Sequence, residues 1–283
     1  MTLTNAMGSA LSGLSAQQLQ LDVIGDNLAN SSTPGFRTAR VDFESALAET
    51  IRLGSEPEGS SLGGVNPLQI GTGVEVGGIT RTFDVPGVIQ PTGVAGDLAI
   101  DGQGFFILSD GEGGLAYTRD GSFGVDAAGV FIDPSTGFAV QGLMADPVTG
   151  IIPAGAALQD VALPVSDPTF TGFFVQADGT LVGTFTGGNR TIARVELARF
   201  VNPEGLERDG QGFFRETPSS GAPVTGDPGA GGLGTLVGGA LELSNVDFTE
   251  QFGALISAQR AFQSNARVLN RADQLLEDLV KIV

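Results

Sequence analysis

The apolar positions of the first thirty residues repeat with helical spacing. Met7, Leu14, Leu21 and Leu28 fall seven apart, and Leu3, Leu11 and Ile24 fill the same stripe at steps of three and four, which is the pattern of a heptad seam. Ser, Gln, Asn and two Asp hold the other faces, and SSTPGF at 31–36 supplies the Pro and Gly that stop a helix. The far end of the chain is stricter. Phe248, Phe252, Leu255, Gln259, Phe262, Ala266, Leu269, Asp273, Leu276, Val280 and Val283 alternate steps of four and three without a break. Asp247, Thr249 and Glu250 are suited to an N-cap and an acidic first turn, so the second helix starts near 245–249. At ~1.5 Å per residue each helix extends roughly 45 to 55 Å.

Between the ends the period changes to two. A short amphipathic piece, VDFESALAETI, leads into RLGSEPEGSSLGGVNP, whose Gly, Ser, Pro and Glu read as a connector. From there IGTGVEVGGITRTF, LAIDGQGFFIL, AYTRDGSFGV and VFIDPSTGFAV read as strands joined by DG, AG and TG turns. A Pro-rich irregular stretch follows Met144, then a hairpin in FFVQADGTLVGTF around Asp178 and Gly179. In TIARVELARF, Ala193, Val195 and Leu197 share a face against Arg194 and Glu196, as in an antiparallel strand with one face buried. DGQGFF occurs twice, at 101–106 and 209–214. Each copy reads as a turn into a strand with its two Phe on opposite faces. The flanks Ile100, Ile107 and Leu108 make the first copy a strand buried on both faces; Arg208, Arg215 and Glu216 make the second an edge strand.

The expected fold is α+β: long N- and C-terminal helices forming a coiled-coil inner domain, with an antiparallel all-β outer domain between them. The segments are 1–36 and 241–283 for the helices, 37–69 for the connector, 70–144 and 187–240 for the β domain, and 145–186 for a short insertion within or on it. Two readings of the helices remain. One is an intramolecular pair in a monomer. The other is packing among many copies, favoured because Ile256, Val268, Leu275 and Leu279 give the last helix a second apolar edge that one partner leaves wet. Gln259 and Asp273 on the seam either set register or rotate out to solvent.

Composition narrows the function. Against 14 Lys+Arg stand 32 Asp+Glu, a formal charge of −18 that repels phosphate backbones and anionic lipid. No nucleic acid is expected as a partner. The chain has no Cys and no His, which removes disulfides, thiolate and imidazole metal sites and the usual general base. No Lys or Arg precedes Arg37 and no continuous apolar run is present, so neither a cleaved secretory signal nor membrane insertion is expected. Neither DGQGFF nor GDPGAGGLG has the Lys beside Ser or Thr of a phosphate loop. Asp101, Asp110, Asp120, Asp126, Asp133 and Asp146 lack the spacing of a calcium loop and read as turn residues. No catalytic, cofactor or metal residues are assigned. A calcium-binding module and a carboxylate hydrolase remain as distant rivals.

Several stretches carry a resemblance. ALSGLSAQQLQLDVIGDNLANSSTPGFR ends in an N-x-x-N-x-x-T-P-G-F run at Asn27, Asn30, Thr33, Pro34, Gly35 and Phe36. NPLQIGTGVEV, GVIQPTGVAGDLAIDGQGFF, YTRDGSF, FVNPEGLERDGQGFF, SSGAP and GALELSNVDFTEQFGALISAQRAFQSNARVL follow in order. Nearly the whole chain thus resembles the bacterial flagellar rod and hook proteins, most closely the hook subunit and next the distal rod subunit.

The resemblance implies a non-enzymatic structural subunit, without cofactor, that self-assembles into a helical tube: a flexible hook transmitting torque, or alternatively the distal rod of the basal body. Its assembly residues would be Met7, Leu11, Leu14, Leu21, Ile24, Leu28, Phe248, Phe252, Leu255, Phe262, Leu269, Leu276 and Val280. The implied partners are further copies, rod and hook–filament junction proteins at the ends, and the flagellar export apparatus and hook cap during assembly. The implied place is the extracellular hook, or the periplasm for a rod, reached without a cleaved signal. The connector at 52–66 would be an adjustable contact between copies.

Overall fold

The computed structural model describes residues 3–54, 56, 64–147, 149–153 and 155–282. They divide into two compact units, one of residues 1–29, 39–81 and 247–283 and one of residues 30–38 and 82–246.

The first unit holds α1 (Leu3–Ala29) and α2 (Phe248–Ile282). Asp247 caps α2 as the sequence expects: its Oδ1 accepts from the amides of Thr249 at 2.7 Å and Glu250 at 3.2 Å. The helices run antiparallel. Asn27 near the end of α1 meets Gln251 at the start of α2, while Gly13 lies against Asn265. Beside them the segment read as an amphipathic piece and connector is extended instead. Ala39–Ser45 pairs with Val74–Arg81, and Glu49–Arg52 pairs with Leu68–Ile70. Val41, Thr50 and Ile51 favour the pleated backbone, and the partner strands decide the matter. Of the run at 52–66, residues 55 and 57–63 lie outside the described residues, as do Val283 and the side chains of Leu3 and Leu279.

In the second unit, thirteen strands join one antiparallel sheet among the described residues. Along its main path run Phe170–Val175, Thr180–Phe185, Gly188–Val195, Ala139–Met144, Phe105–Ser109, Leu115–Thr118, Phe213–Arg215 and Glu207–Arg208. Residues 145–186 contribute strands to this sheet. The Asp178–Gly179 hairpin forms between Phe170–Val175 and Thr180–Phe185, and Ala193, Val195 and Leu197 are fully buried.

Alternation along Phe105–Ser109 builds two cores, one on each face. Phe106 and Leu108 join Leu98, Phe131, Val140 and Leu181. Phe105 and Ile107 join Tyr117, Phe200 and Leu206. The second DGQGFF copy repeats the division, with Phe213 in the first core and Phe214 in the second. Its strand is nevertheless interior: Phe213–Arg215 lies between Leu115–Thr118 and Glu207–Arg208, which corrects the expectation of an edge. The flanking charges are accommodated because Arg215 turns out to Asp209, Nε to Oδ2 at 2.6 Å. The turns of the two copies also differ. Gln211 takes a φ of 47° between two left-handed glycines in the second copy, whereas only Gly102 and Gly104 have positive φ in the first.

Candidate assembly surface

The seam between α1 and α2 is built from small and polar side chains. On α1 the buried positions are Ala10, Gly13, Ala16, Ile24 and Asn27; on α2 they are Gln251, Ala258 and Ala272, with half-buried Asn265 completing a seven-residue step. A Cβ on Gly13 would stand 2.6 Å from Asn265 Nδ2, so the Asn265 amide packs directly on the Gly13 backbone there. Asn27 fastens the α1 end of the seam. Its Nδ2 donates to Ala39 O at 2.8 Å and Gln251 Oε1 at 3.0 Å, and its Oδ1 accepts from Ala39 N at 2.9 Å. Burial of this amide costs little because its partners are in place.

The large apolar residues of the expected stripe lie around this seam. Ile24 is buried; Met7, Leu14, Leu21, Leu28, Leu255, Phe262 and Leu269 are half-buried. Leu11, Phe248, Phe252 and Val280 are each more than half exposed, and Leu276 is exposed. Ile256, Val268 and Leu275, off the stripe, are exposed as well, and Gln259 and Asp273 point to solvent. The sequence reading missed the small-residue seam, although the seven-residue step Gln251, Ala258, Asn265, Ala272 is visible in the sequence. A heptad pattern draws attention to large apolar residues, and a tight helix pair uses small ones. Beside the helices, Leu47, Ile51, Leu53 and Leu68, in and around the short Glu49–Arg52 ribbon, are exposed too.

The second unit supplies a buried charge cluster that the sequence reading also missed. Glu242 Oε1 accepts from Arg37 Nη2 at 2.7 Å and from the amide of Gly87 at 2.8 Å, with both charged side chains fully buried. Arg119 Nη1 lies 3.5 Å from Glu242 Oε2, and its Nη2 donates to Gly102 O at 2.6 Å. Burial pushes the Arg119 guanidinium down to about 10, opposed by Glu242 and reinforced by Arg37, so Arg119 stays charged at neutral pH. Gly35 takes a left-handed φ of 67° in this cluster, where a Cβ would come within 2.6 Å of the Arg119 backbone, and its amide donates to Glu242 O. Arg37, Arg119 and Glu242 come from TPGFR, YTRDGSF and GALELSN, three stretches that carried the resemblance. Asn245 adds a second staple, accepting from Thr38 N and Oγ1 and donating to Thr82 O and Val85 O.

Chemistry sites fare differently. Oδ1 of Asp110, Asp120, Asp126 and Asp133 accepts from the amide two residues on, and that of Asp146 from the amide three residues on, so these carboxylates close turns. Among the described residues no His, Cys, Asp or Glu group is arranged to hold a metal ion, and no helix is long and apolar enough to cross a membrane.

Three family models match the chain. A flagella basal body rod protein model covers residues 7–37, a flagellar hook protein FlgE/F/G D1 domain model 99–183, and a flagellar basal body rod FlgEFG protein C-terminal model 237–282. The flagellar basal-body rod protein FlgG of Bacillus subtilis is 36% identical over 282 residues and 99% of each chain. That of Caulobacter vibrioides is 36% identical over 96% of this chain and 97% of its own. The flagellar hook protein FlgE of Borreliella burgdorferi is 25% identical across 99% of this chain and 100% of its own, in an alignment 443 residues long. A crystal structure of Helicobacter pylori flagellar hook protein FlgE2 aligns with 72% of this chain and 56% of its own at 13% identity, with a TM-score of 0.23, too loose a likeness to inform the fold. The sequence reading put the hook first; these relatives fit the rod alternative better.

Proposed function

We propose that this chain, which belongs to the family of bacterial flagellar rod and hook proteins, is a distal rod subunit that polymerises through its helix pair and has no chemistry of its own. The observation that carries the reading is the division of labour on the helices. Small residues fill the internal seam, while Leu11, Phe248, Phe252, Ile256, Val268 and Leu275 stay exposed. Burying one Leu or Phe contributes ~1.5 to 3 kcal/mol, so a row of exposed ones drives association with further copies. Length supports rod over hook: the hook relative needs 443 alignment positions against 283 residues here, so it carries chain that this protein lacks.

In this reading the subunit reaches the flagellum through the flagellar export apparatus without a cleaved signal, works in the periplasmic part of the axis, and meets other axial proteins only at the two ends of its segment. The test is assembly of the purified chain, followed by sedimentation and electron microscopy, against a Phe252→Ser/Ile256→Ser variant and a chain lacking residues 248–283. Straight polymers from the intact chain and none from either variant are expected. A truncated chain that still polymerises removes the helices as the assembly element, and a curved tube restores the hook reading.

A further inference from the structure

The first DGQGFF copy does more than lead into a strand. Its Gln103 and Phe105, with Phe83, Arg119, Arg199 and Phe200, line a cavity of about 160 Å³ in the second unit. A second hollow of about 310 Å³ shares Gln103, Arg199 and Phe200 with it and extends to Val224. The walls are aromatic and held in place: the Phe105 ring packs edge-on against Phe83 at 5.6 Å and against Phe200 at 5.8 Å. Arg119 forms part of the inner wall, 5.9 Å from the Phe105 ring centre, and is already committed to Gly102 O and Glu242. It brings charge rather than free donors. Arg199 differs. It is exposed, and among the described residues it makes no hydrogen bond or ion pair. Its guanidinium lies over the Gly232 backbone, with Nη1 3.1 Å from where a Cβ would stand.

We infer that this cavity binds a small carboxylate carried on an apolar body, the Arg199 fork taking the carboxylate and the three Phe rings the rest. Three guanidiniums, those of Arg37, Arg119 and Arg199, stand here against two carboxylates, Glu242 in the buried cluster and Asp84 at the cavity wall. The local balance is positive in a chain of net charge −18, which draws an anion to this place. A planar guanidinium with free N–H groups matches a carboxylate through two parallel hydrogen bonds. Apolar walls with a few placed polar groups are the make-up of small-molecule sites, and a volume below the usual ~300 to 1,000 Å³ calls for a small ligand. The turn that builds the wall depends on its glycines. Gly102 and Gly104 take φ of 122° and 133°, and a Cβ on Gly104 would press on Leu233 at 3.2 Å and Leu197 at 3.4 Å. The second DGQGFF copy has no free cation of this kind, because Arg215 beside it is held by Asp209. Binding here breaks and forms no covalent bond, and it stands apart from the assembly reading.

The test is calorimetric titration of the full chain with benzoate, at a protein concentration where it is unassembled, with benzamide as the uncharged counterpart of similar shape. A single site per chain is expected, about tenfold tighter for benzoate than for benzamide. Arg199→Gln should abolish that preference; the residue is exposed, and circular dichroism checks that the variant keeps its fold. Tyr117 gives a second readout, because its ring packs on Phe200 at 4.8 Å, so its emission should change as the cavity fills. The inference is overturned if benzoate shows no saturable binding, if benzamide binds as well, or if Arg199→Gln binds benzoate like the wild type. Binding that leaves Tyr117 emission unmoved lies elsewhere and overturns it too. If benzoate does not bind and Arg199→Gln instead raises the critical concentration for polymerisation, the cavity receives an acidic side chain of another copy; the inference is then wrong while the proposed function stands.

Discussion

The helix pair and the β sheet bury opposite kinds of residue. The sheet holds its large side chains inside: Phe106, Phe131, Leu98 and Leu181 are fully buried, and Phe106 stacks edge-on against Phe123 at 5.1 Å. Between the helices lie Ala10, Gly13, Ala16, Ala258 and Ala272 with one large residue, Ile24, while Leu11, Phe248, Phe252 and Val280 stay more than half exposed. Each buried side chain contributes roughly in proportion to the apolar area it takes from water. The sheet keeps these large side chains inside one copy, whereas on the helix pair Leu11, Phe248 and Phe252 stay exposed, the surface that the proposed assembly would cover.

That contrast can be broken from either side, and the molecule carries its own probes. Tyr117, its one tyrosine, is buried in the second sheet core and reports on the β unit, while helical circular dichroism reports on α1 and α2. Burial, with Glu216 adding, pushes the Tyr117 phenol up to about 12, so its ultraviolet titration should stay silent below that pH while the core is intact. The largest effect is expected from Phe106→Ala, which should cost about 3 to 5 kcal/mol in denaturant unfolding followed at Tyr117. A loss below 1 kcal/mol would mean the sheet core is not the main store of stability.

Next comes Glu242→Gln, which leaves Arg37 and Arg119 buried without their counter-charge and should cost on the order of 3 kcal/mol by the same measurement. Replacing the whole cluster by Arg37→Met/Arg119→Met/Glu242→Leu should recover part of that loss, because three apolar side chains need no counter-charge. A triple variant less stable than Glu242→Gln would show that the cluster does more than balance charge.

Gly13→Leu acts on the other region. It should force the helices apart at Asn265 at a cost of about 1 to 3 kcal/mol in helical signal, with the Tyr117 transition unmoved. Loss of both signals together would show that the two regions unfold as one.

The smallest effect concerns acid. Burial holds the Asp120 carboxyl above its ordinary value of 3.8, with Asp133 and Asp97 adding and Ser122 opposing. A raised folded value means the folded chain binds this proton before the unfolded chain does. This group's penalty is therefore present at neutral pH and is relieved as pH falls through the raised value toward 3.8. Asp120→Asn should flatten the melting temperature over that window; an unchanged slope would assign it to other carboxylates.

Much of this was legible in the sequence. Heptad spacing gave both helices and the Asp247 cap, and period-two runs gave the strands and the opposite-facing Phe pairs of DGQGFF. Less legible were features that depend on what lies opposite. Val41 and Ile51 sit in extended ribbons because Ile79 and Leu68–Ile70 lie nearby or alongside, not because of a local signal strong enough to decide. The second DGQGFF looked like an edge until Glu207–Arg208 covered it.

The sequence by itself determined the element types and the two apolar edges of the last helix, because periodicity is a local property that survives without neighbours. It also limited the chemistry, since a chain without Cys or His lacks the usual metal ligands and bases. Only the tertiary structure decided which residues the helices share and which they leave exposed. It alone brought Arg37, Arg119 and Glu242 together from positions up to 205 residues apart. Contacts at such separations depend on the path of the backbone, which no short window of sequence contains.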